Sequence, residues 1–105
     1  MTNFRVSIVT PDQPAMTLPD VVSLVIPSAS GSVGVLAGHA PMIAAVGEGI
    51  LQYRSSDDEW HYLVVTAGCA EVSAEGTTLT VGAAIKAPDL MHAEELLERF
   101  QRRVG

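Results

Sequence analysis

Turn-forming residues interrupt the first 88 residues at short intervals, and this spacing constrains the fold more than any other feature of the sequence. The segment from Phe4 to Ile8 alternates apolar and polar side chains, as a half-buried strand does, and Pro11 ends it. The glycine and proline residues of Ala37–Pro41 forbid a helix there. Short strands at close spacing are typical of an antiparallel β-sandwich or barrel. Strands are predicted over residues 3–10, 20–26, 33–36, 42–46, 50–54, 60–66, 68–73 and 77–81.

The spacing of apolar residues changes after residue 88. From Leu90 onward, apolar side chains recur every three or four positions with charged residues between them, which predicts an amphipathic helix. Asp89 is placed to cap its start. A helix of about 15 residues is marginal alone in water, so we expect its apolar stripe to dock on the sandwich, on a partner or on a second helix. The stripe comprises Leu90, Ala93, Leu96, Leu97, Phe100 and Val104.

Composition and charge exclude several classes of function. The chain has 105 residues, of which 48% are hydrophobic, enough for one modest core. Twelve acidic and six basic residues give a net charge of -6, which disfavours nucleic acid as a partner. The sequence has no apolar run of about 18 residues and no signal-peptide pattern at its amino terminus. We therefore expect a cytosolic protein with no direct membrane insertion.

Residues that often carry chemistry are few and dispersed. The single cysteine, Cys69, has apolar neighbours, which predicts a small buried side chain. The three histidines, His39, His61 and His92, lack the spacing of a zinc site. Acidic residues within 55–59 separate two predicted strands, which favours a solvated turn over a metal site. We predict no cofactor, no metal and no catalytic residue.

The most specific signal is a glycine-rich segment that spans the third predicted strand and the turn before the fourth. Residues 31–41 read Gly-Ser-Val-Gly-Val-Leu-Ala-Gly-His-Ala-Pro, which resembles the G-x-x-G-[VI]-x-x-G-H-x-P signature of the epsilon subunit of F-type ATP synthases. Glycine at positions 31, 34 and 38 permits positive φ or close backbone approach, and Pro41 fixes the chain direction. The resemblance extends along the chain through residues 6–11, 21–27, 48–51, 65–72 and 78–81.

The resemblance implies a mainly β fold: an antiparallel β-sandwich of about ten strands over residues 1–86, followed by a single helix over residues 87–105. It implies a non-catalytic central-stalk subunit that couples the gamma subunit to the c-ring during proton- or sodium-driven ATP synthesis, peripheral to the cytoplasmic face of a bacterial inner membrane. Contact of the helix with alpha and beta subunits is a further expectation. The expected gamma surface comprises Gly38, His39, Ala40, Pro41, Met42 and Ile43, and the expected c-ring surface comprises Ser28, Ala29, Ser30, Gly31 and Ser32.

Some positions depart from the family pattern. Ser32 stands where glutamate is common, Ala37 where proline is common and Ala67 where glycine is common. ATP-binding relatives carry an I-D-x-x-R-A-like motif, whereas His92 replaces the arginine here, so we predict no ATP binding. A two-helix arm blocks ATP hydrolysis in longer relatives. With roughly one helix in this sequence, we expect that inhibition to be absent or weak.

The same residues argue against several other functions. The glycine-rich segment has no following Lys-Ser or Lys-Thr and opens no helix, so a phosphate-binding loop is disfavoured. His39 has no nucleophile and orienting acid in a recognisable motif, which favours a structural or interface role over catalysis. A free-standing β-sandwich binding module stays open. An enzyme of the cupin type would need a metal-binding set that three dispersed histidines do not offer.

Overall fold

The computed structural model describes residues 3–102, which form nine strands and one helix. The mainly β fold with a single C-terminal helix is confirmed, with nine strands where about ten were expected. The last strand and the first part of the second were not predicted from the sequence. In chain order the elements are β1 (Phe4–Thr10), β2 (Gln13–Ser28), β3 (Gly31–Leu36), β4 (Met42–Val46), β5 (Gly49–Ser55), β6 (Trp60–Val65), β7 (Gly68–Ser73), β8 (Gly76–Val81), β9 (Ala84–Ala87) and α1 (Leu90–Arg102).

The 16-residue strand β2 belongs to both layers of the sandwich. Its first half pairs with β1, and its second half pairs with β3 and β5. Register shifts near Val21 mark the bend between the halves. One layer therefore runs β4-β7-β8-β1-β2, and the other runs β3-β2-β5-β6-β9.

One strand pair departs from the predicted antiparallel arrangement. β1 and β8 run parallel, with Val6 opposite Thr77 and Ile8 opposite Leu79, while the other pairs among residues 3–102 are antiparallel. A parallel pair needs a long connection, which the intervening strands supply. The two-residue side-chain period is the same in both kinds of pair, so the sequence pattern did not reveal the direction.

The core lies between the two layers and is built from alternate residues of the strands. Val6 and Ile8 of β1, for example, are at most 1% exposed, as the two-residue period predicted. Aliphatic side chains dominate this cluster, with Tyr53 as its aromatic member. Its buried members are Val6, Ile8, Leu18, Val21, Leu24, Ile26, Val35, Val46, Leu51, Tyr53, Leu63, Val65, Ala70, Val72, Leu79 and Val81.

Helix α1 packs on the outer side of the second layer, where it contacts β5, β6 and β9. Ala93 is fully buried. Val64 is also fully buried although it alternates with the core residues Leu63 and Val65, which we explain by the helix lying over that face. The sequence left open whether the apolar stripe of the helix docks on the sandwich, on a partner or on a second helix. The structure shows the helix docked on the sandwich. Val104, assigned to the same stripe, lies outside the described residues.

The helix begins at the predicted cap. The N–H of His92 donates to Oδ1 of Asp89 over 2.8 Å, as an N-cap aspartate accepts at the third helical position. The His92 ring contacts the same carboxylate oxygen, with Nδ1 2.7 Å away. These bonds, first the backbone and then the side-chain one, lower the pKa of Asp89. The side-chain hydrogen bond to Asp89, and then its charge, raise the pKa of His92.

Cys69 corrects one prediction, because its side chain is exposed rather than buried. It lies on β7 between the buried Ala70 and the position of Gly68, opposite Ala45 of β4 and Thr80 of β8. The alternation of β7 places Ala70 and Val72 in the core, so Cys69 must face outward. The apolar neighbours of Cys69 in sequence therefore led to a wrong prediction of its burial.

Candidate functional site

The end of the glycine-rich segment carries the chain from one layer of the sandwich to the other. We call residues 37–41 the crossing loop, because β3 before it pairs with β2 whereas β4 after it pairs with β7. Gly38 has a φ of 80°, a conformation that glycine adopts most readily. The N–H of His39 donates to the carbonyl of Leu36 over 3.1 Å. These features form the tight bend that the sequence predicted.

His39 belongs to the crossing loop through its own ring. Nδ1 lies 2.6 Å from the carbonyl oxygen of Ala40, so this nitrogen carries the proton and donates to the loop. The ring is half-buried. Its geometry is that of a side chain that supports a turn, which is the role the sequence favoured over catalysis.

Two apolar side chains flank the crossing loop in solvent. Ile43, at the second position of β4, is 74% exposed, and Leu36, at the end of β3, is 60% exposed. Ile43 was among the residues predicted for gamma, whereas the exposure of Leu36 was not predicted. The two-residue alternation would have found it, since Val35 is buried and the next side chain must point outward.

The residues predicted for the c-ring form the turn between β2 and β3. The hydroxyl of Ser28 donates to the carbonyl of Gly31 over 2.6 Å and closes the turn. Gly31 has a φ of 119°. Ala29, Ser30, Gly31 and Ser32 are all exposed. The turn therefore presents a small, uncharged surface held by its own hydrogen bonds.

The connection between β4 and β5 supports this turn from behind. The N–H of Gly47 donates to the carbonyl of Pro27 over 3.0 Å. A Cβ at Gly49 would lie 2.8 Å from Cβ of Pro27, closer than real side chains pack. The absence of side chains at these two glycines lets the connection lie directly against the turn, which fixes its position on the sandwich.

The two predicted surfaces lie at opposite ends of β3. The turn precedes Gly31 and the crossing loop follows Leu36, so a six-residue strand of roughly 20 Å separates them. Strand β4 then brings the chain back, and Ala44 and Ala45 line a groove of about 360 Å³ together with the turn. The residues predicted for gamma and those predicted for the c-ring thus lie beyond opposite ends of β3 and do not form a single cluster.

Comparison with known proteins decides the family. The family model described as the ATP synthase, Delta/Epsilon chain, beta-sandwich domain matches residues 3–87. The chain belongs to this ATP synthase delta/epsilon family. Its first and last matched residues coincide closely with the start of β1 and the end of β9.

Curated relatives in the delta/epsilon family extend the match at moderate identity. An ATP synthase epsilon chain of Rhodopseudomonas palustris (strain TIE-1) is 40% identical over 90 residues, which cover 86% of this chain and 65% of that protein. The Synechococcus elongatus ATP synthase epsilon chain is 34% identical over 100 residues, covering 95% of this chain and 71% of that protein. The chain thus spans about two thirds of the length of these relatives.

Solved structures share the fold at lower identity. A chain of the Euglena gracilis mitochondrial ATP synthase matches with a TM-score of 0.76 and 20% identity, over 95% of this chain and 62% of that one. A chain of the Tetrahymena thermophila mitochondrial ATP synthase, from its central stalk and c-ring, matches with a TM-score of 0.66 and 12% identity, over 98% of this chain and 92% of that one. These similarities establish the sandwich fold.

One glycine of the family signature does not behave as predicted. The φ angle of Gly34 is not positive, and a Cβ built on this residue would meet nothing within 4 Å. Neither reason that we gave for glycine at this position therefore applies. Nothing in the isolated chain explains it.

The acidic hairpin tip between β5 and β6 is a solvated turn, as predicted. Oδ1 of Asp57 accepts from the Ser55 hydroxyl over 2.5 Å and from the N–H of Glu59 over 3.1 Å, and these bonds lower the pKa of Asp57. Asp58 pairs with Arg54 over 2.8 Å. Within residues 3–102, no group of three potential metal-ligating side chains lies close enough to hold a metal ion.

Ser55, His61 and Asp57 meet at this tip, but their order is not that of a catalytic triad. The Ser55 hydroxyl has one proton and donates it to Asp57, so Nε2 of His61, 3.0 Å away, must donate to Ser55. A triad needs the opposite, with the imidazole accepting from serine and the carboxylate orienting the imidazole. The ring of His61 instead stacks on Tyr53 with centroids 4.7 Å apart.

Proposed function

We propose that the chain is an epsilon-type central-stalk subunit of a rotary ATP synthase, which links the gamma subunit to the c-ring. The observation that carries this proposal is the family match over residues 3–87. Relatives at 33–40% identity bear the name ATP synthase epsilon chain, and one similar fold comes from a central stalk and c-ring assembly. The role is mechanical and non-catalytic.

The proposed gamma surface is the crossing loop together with the start of β4, Gly38 to Ile43. Its bend is held by the hydrogen bonds of His39, so binding would need little ordering of the backbone. Ile43 and the neighbouring Leu36 are exposed apolar side chains of the kind that becomes buried at the centre of a protein interface. Leu36 therefore joins the proposed surface.

The proposed c-ring surface is the β2–β3 turn, Ser28 to Ser32. It carries hydroxyl and backbone groups but no charge, so its contact with polar loops of the ring would rest on hydrogen bonds. Ser32, at its exposed end, has a neutral side chain and cannot form an ion pair. This contact should therefore depend only weakly on salt.

Torque transfer requires that the two surfaces keep a fixed distance. The turn and the crossing loop are joined by β3, and the core behind them is a close-packed set of aliphatic side chains, which resists deformation. This geometry suits a coupling element, and by its family likeness we place that element peripheral to the membrane, at the cytoplasmic face of a bacterial inner membrane. In the described part of the chain, no helix has the length and apolarity needed to cross a membrane.

The helix belongs to neither proposed surface. It packs against β5, β6 and β9, and its contact with alpha and beta subunits stays a prediction. Weak or absent inhibition of ATP hydrolysis also stays a prediction. Comparing hydrolysis by the complex with and without residues 89–105 tests it, since strong activation on deletion would contradict it.

Binding to purified gamma subunit and to a gamma and c-ring subcomplex tests the proposed function. Ile43→Asp should weaken gamma binding about tenfold or more, because a charge would be buried at the interface. Met91→Asp is a matched control, since Met91 is 68% exposed on the helix. Ser32→Trp, at an exposed position of the turn that does not line the groove beside β4, should weaken binding to the ring while leaving gamma binding unchanged. If the unmodified chain does not bind the gamma subunit, the proposal is wrong. That result would favour the alternative that the protein is a free-standing β-sandwich binding module.

A further inference from the structure

The described sandwich has four unpaired strand edges, and they are not equivalent. Each layer ends in two edges: β4 and the first half of β2 in one, β3 and β9 in the other. An open edge presents unpaired N–H and C=O groups to which another strand can add. Natural proteins block such edges with proline, with lysine or with bulges. The edges therefore differ in what they can accept.

Two of the four edges carry these blocking devices. The first half of β2 contains Pro14 and Pro19, which lack the N–H that a new strand would need. Strand β9 carries Lys86 opposite Leu63, on the core-facing side of the strand. A strand added beside β9 would bury that ammonium group, which is costly.

The other two edges, β3 and β4, lack both devices and face the groove beside the β2–β3 turn. Val33 of β3 and the pair Ala44 and Ala45 of β4 line this groove, which is about 360 Å³ in volume and contains no charged side chain. Small side chains there allow another backbone to approach closely. Strand β3 contains two glycines, which weaken ordering in a strand, whereas β4 reads Met-Ile-Ala-Ala-Val.

The charge of the molecule decides between a second copy and a different partner. Two copies with a net charge of -6 each would repel one another on approach. Glu71 lies beside Ile43 on the neighbouring strand, and Glu48 follows the end of β4. A partner strand that is apolar where it meets β4 and basic at its flank complements this edge, whereas a second copy does not.

We propose that β4 accepts a strand from the partner, so that the layer β4-β7-β8-β1-β2 continues into the gamma subunit by main-chain hydrogen bonds. This inference rests on the proposed function and deepens it. The exposed side chain of Ile43 then packs beside the added strand, and the crossing loop positions its end. Main-chain pairing of this kind supplies affinity, while the flanking side chains supply specificity.

Amide hydrogen exchange in the complex with gamma subunit tests the pairing directly. In the free chain, amides of β4 that point away from β7 should exchange quickly because they have no strand partner. In the complex, alternate amides within residues 42–46 should be protected at least about tenfold, while the amides of β9 stay unchanged. A complex without added β4 protection, or with protection on β3 instead, overturns strand addition and leaves the proposed function intact. Failure to form any complex overturns both.

Two lysine substitutions supply matched variants. Ala44→Lys places on β4 a lysine like the one found at Lys86, since Ala44 shares the core-facing side with Met42 and Val46. Thr80→Lys places the same charge on the exposed face of β8, a strand that is paired on both sides and does not line the groove. We expect Ala44→Lys to weaken gamma binding at least tenfold and Thr80→Lys to change it less than threefold. Equal effects would overturn the proposal, and the exchange experiment on the unmodified chain decides if Ala44→Lys fails to fold.

Discussion

At position 68 the strands come so close that a side chain has no room. A Cβ built on Gly68 would lie 1.9 Å from the carbonyl oxygen of Thr80 and 2.8 Å from Cα of Val81. Both contacts are with backbone, which cannot rotate away. We expect Gly68→Ala to lower the free energy of unfolding by about 3 kcal/mol or more, because the pairing of β7 with β8 must shift. Chemical denaturation measures the loss.

Gly34→Ala is the control for this prediction. Gly34 lies in β3 without a positive φ, and a Cβ there meets nothing within 4 Å. Alanine should therefore be neutral or should stabilise the strand by about 0.5–1 kcal/mol. A loss at position 34 as large as that at position 68 would contradict the close approach as the cause.

The sequence predicted the backbone of single residues better than their surroundings. Positive φ was one of the two reasons given for glycine at positions 31 and 38, and the structure shows it at both. The close approach at Gly68 depends on Thr80 and Val81 of β8, which lie 12 and 13 residues later in the chain and face it in the pairing of β7 with β8. The exposure of Cys69 follows from the same register. Local patterns specify turns, whereas such contacts require knowledge of which strands are neighbours.

At the scale of the helix, the Asp89 and His92 contact makes α1 depend on pH. His92 has a raised pKa in the folded chain, so its protonated form favours the helix. This contribution is fully present below pH about 6.5 and is lost as pH rises through the raised pKa. Asp89 has a lowered pKa, so its contribution is present above pH about 3.9 and is lost as pH falls through the lowered pKa.

Protection of the α1 amides, meaning their exchange rates divided into the intrinsic rates at the same pH, should therefore be greatest in the mildly acidic window between these limits. Asp89→Ser provides a control, since serine keeps an N-cap acceptor but removes the charge. In that variant the helix should persist while the loss of protection between pH 6 and 8 disappears. An unchanged pH dependence in Asp89→Ser would show that His92 does not act through this carboxylate.

Docking of the helix depends on the small buried side chain of Ala93. This residue is fully buried but lies outside the main core. Ala93→Glu would bury an unpaired charge, so the helix should detach and its amides should exchange at least about tenfold faster. Glu94→Gln, at an exposed neighbour, should leave exchange unchanged. Loss of the entire sandwich in Ala93→Glu would contradict independent docking.

At the same scale, the positions of glycine and proline residues explain which strands were predicted. Strands β4 and β7 match their predicted bounds, since apolar alternation and glycine or proline frame each of them. The first half of β2 was not predicted, and it contains Pro14 and Pro19, a residue type that is unfavourable in the middle of a sheet. These prolines are tolerated because that half is an edge, where a missing N–H interrupts no pairing. An edge position is a property of the sheet and is not visible in the segment alone.

For the whole molecule, the family and the fold were accessible from sequence, but the layout of the surfaces was not. The crossing loop and the β2–β3 turn are neighbours in sequence, yet the length of β3 separates them. Likewise, the edge with a blocking lysine at Lys86 and the open edge at β4 can be recognised only from the order of the strands in the two layers. Such features arise from strand order, which residue patterns within single segments do not encode.

The composition of the core predicts that the sandwich folds without the helix. The main cluster contains residues from β1 to β8 and none from α1, and the family match ends at residue 87. A chain ending at Ala87 should therefore unfold in a single cooperative transition. Its Tm should fall by roughly 10 °C, because exposing Val64 costs about 1.5–3 kcal/mol at most. Calorimetry against the full chain measures this shift, and a loss of cooperativity would show that the helix completes the core rather than covering it. The same shortened chain should keep its affinity for the gamma subunit, since both the crossing loop and β4 lie within it.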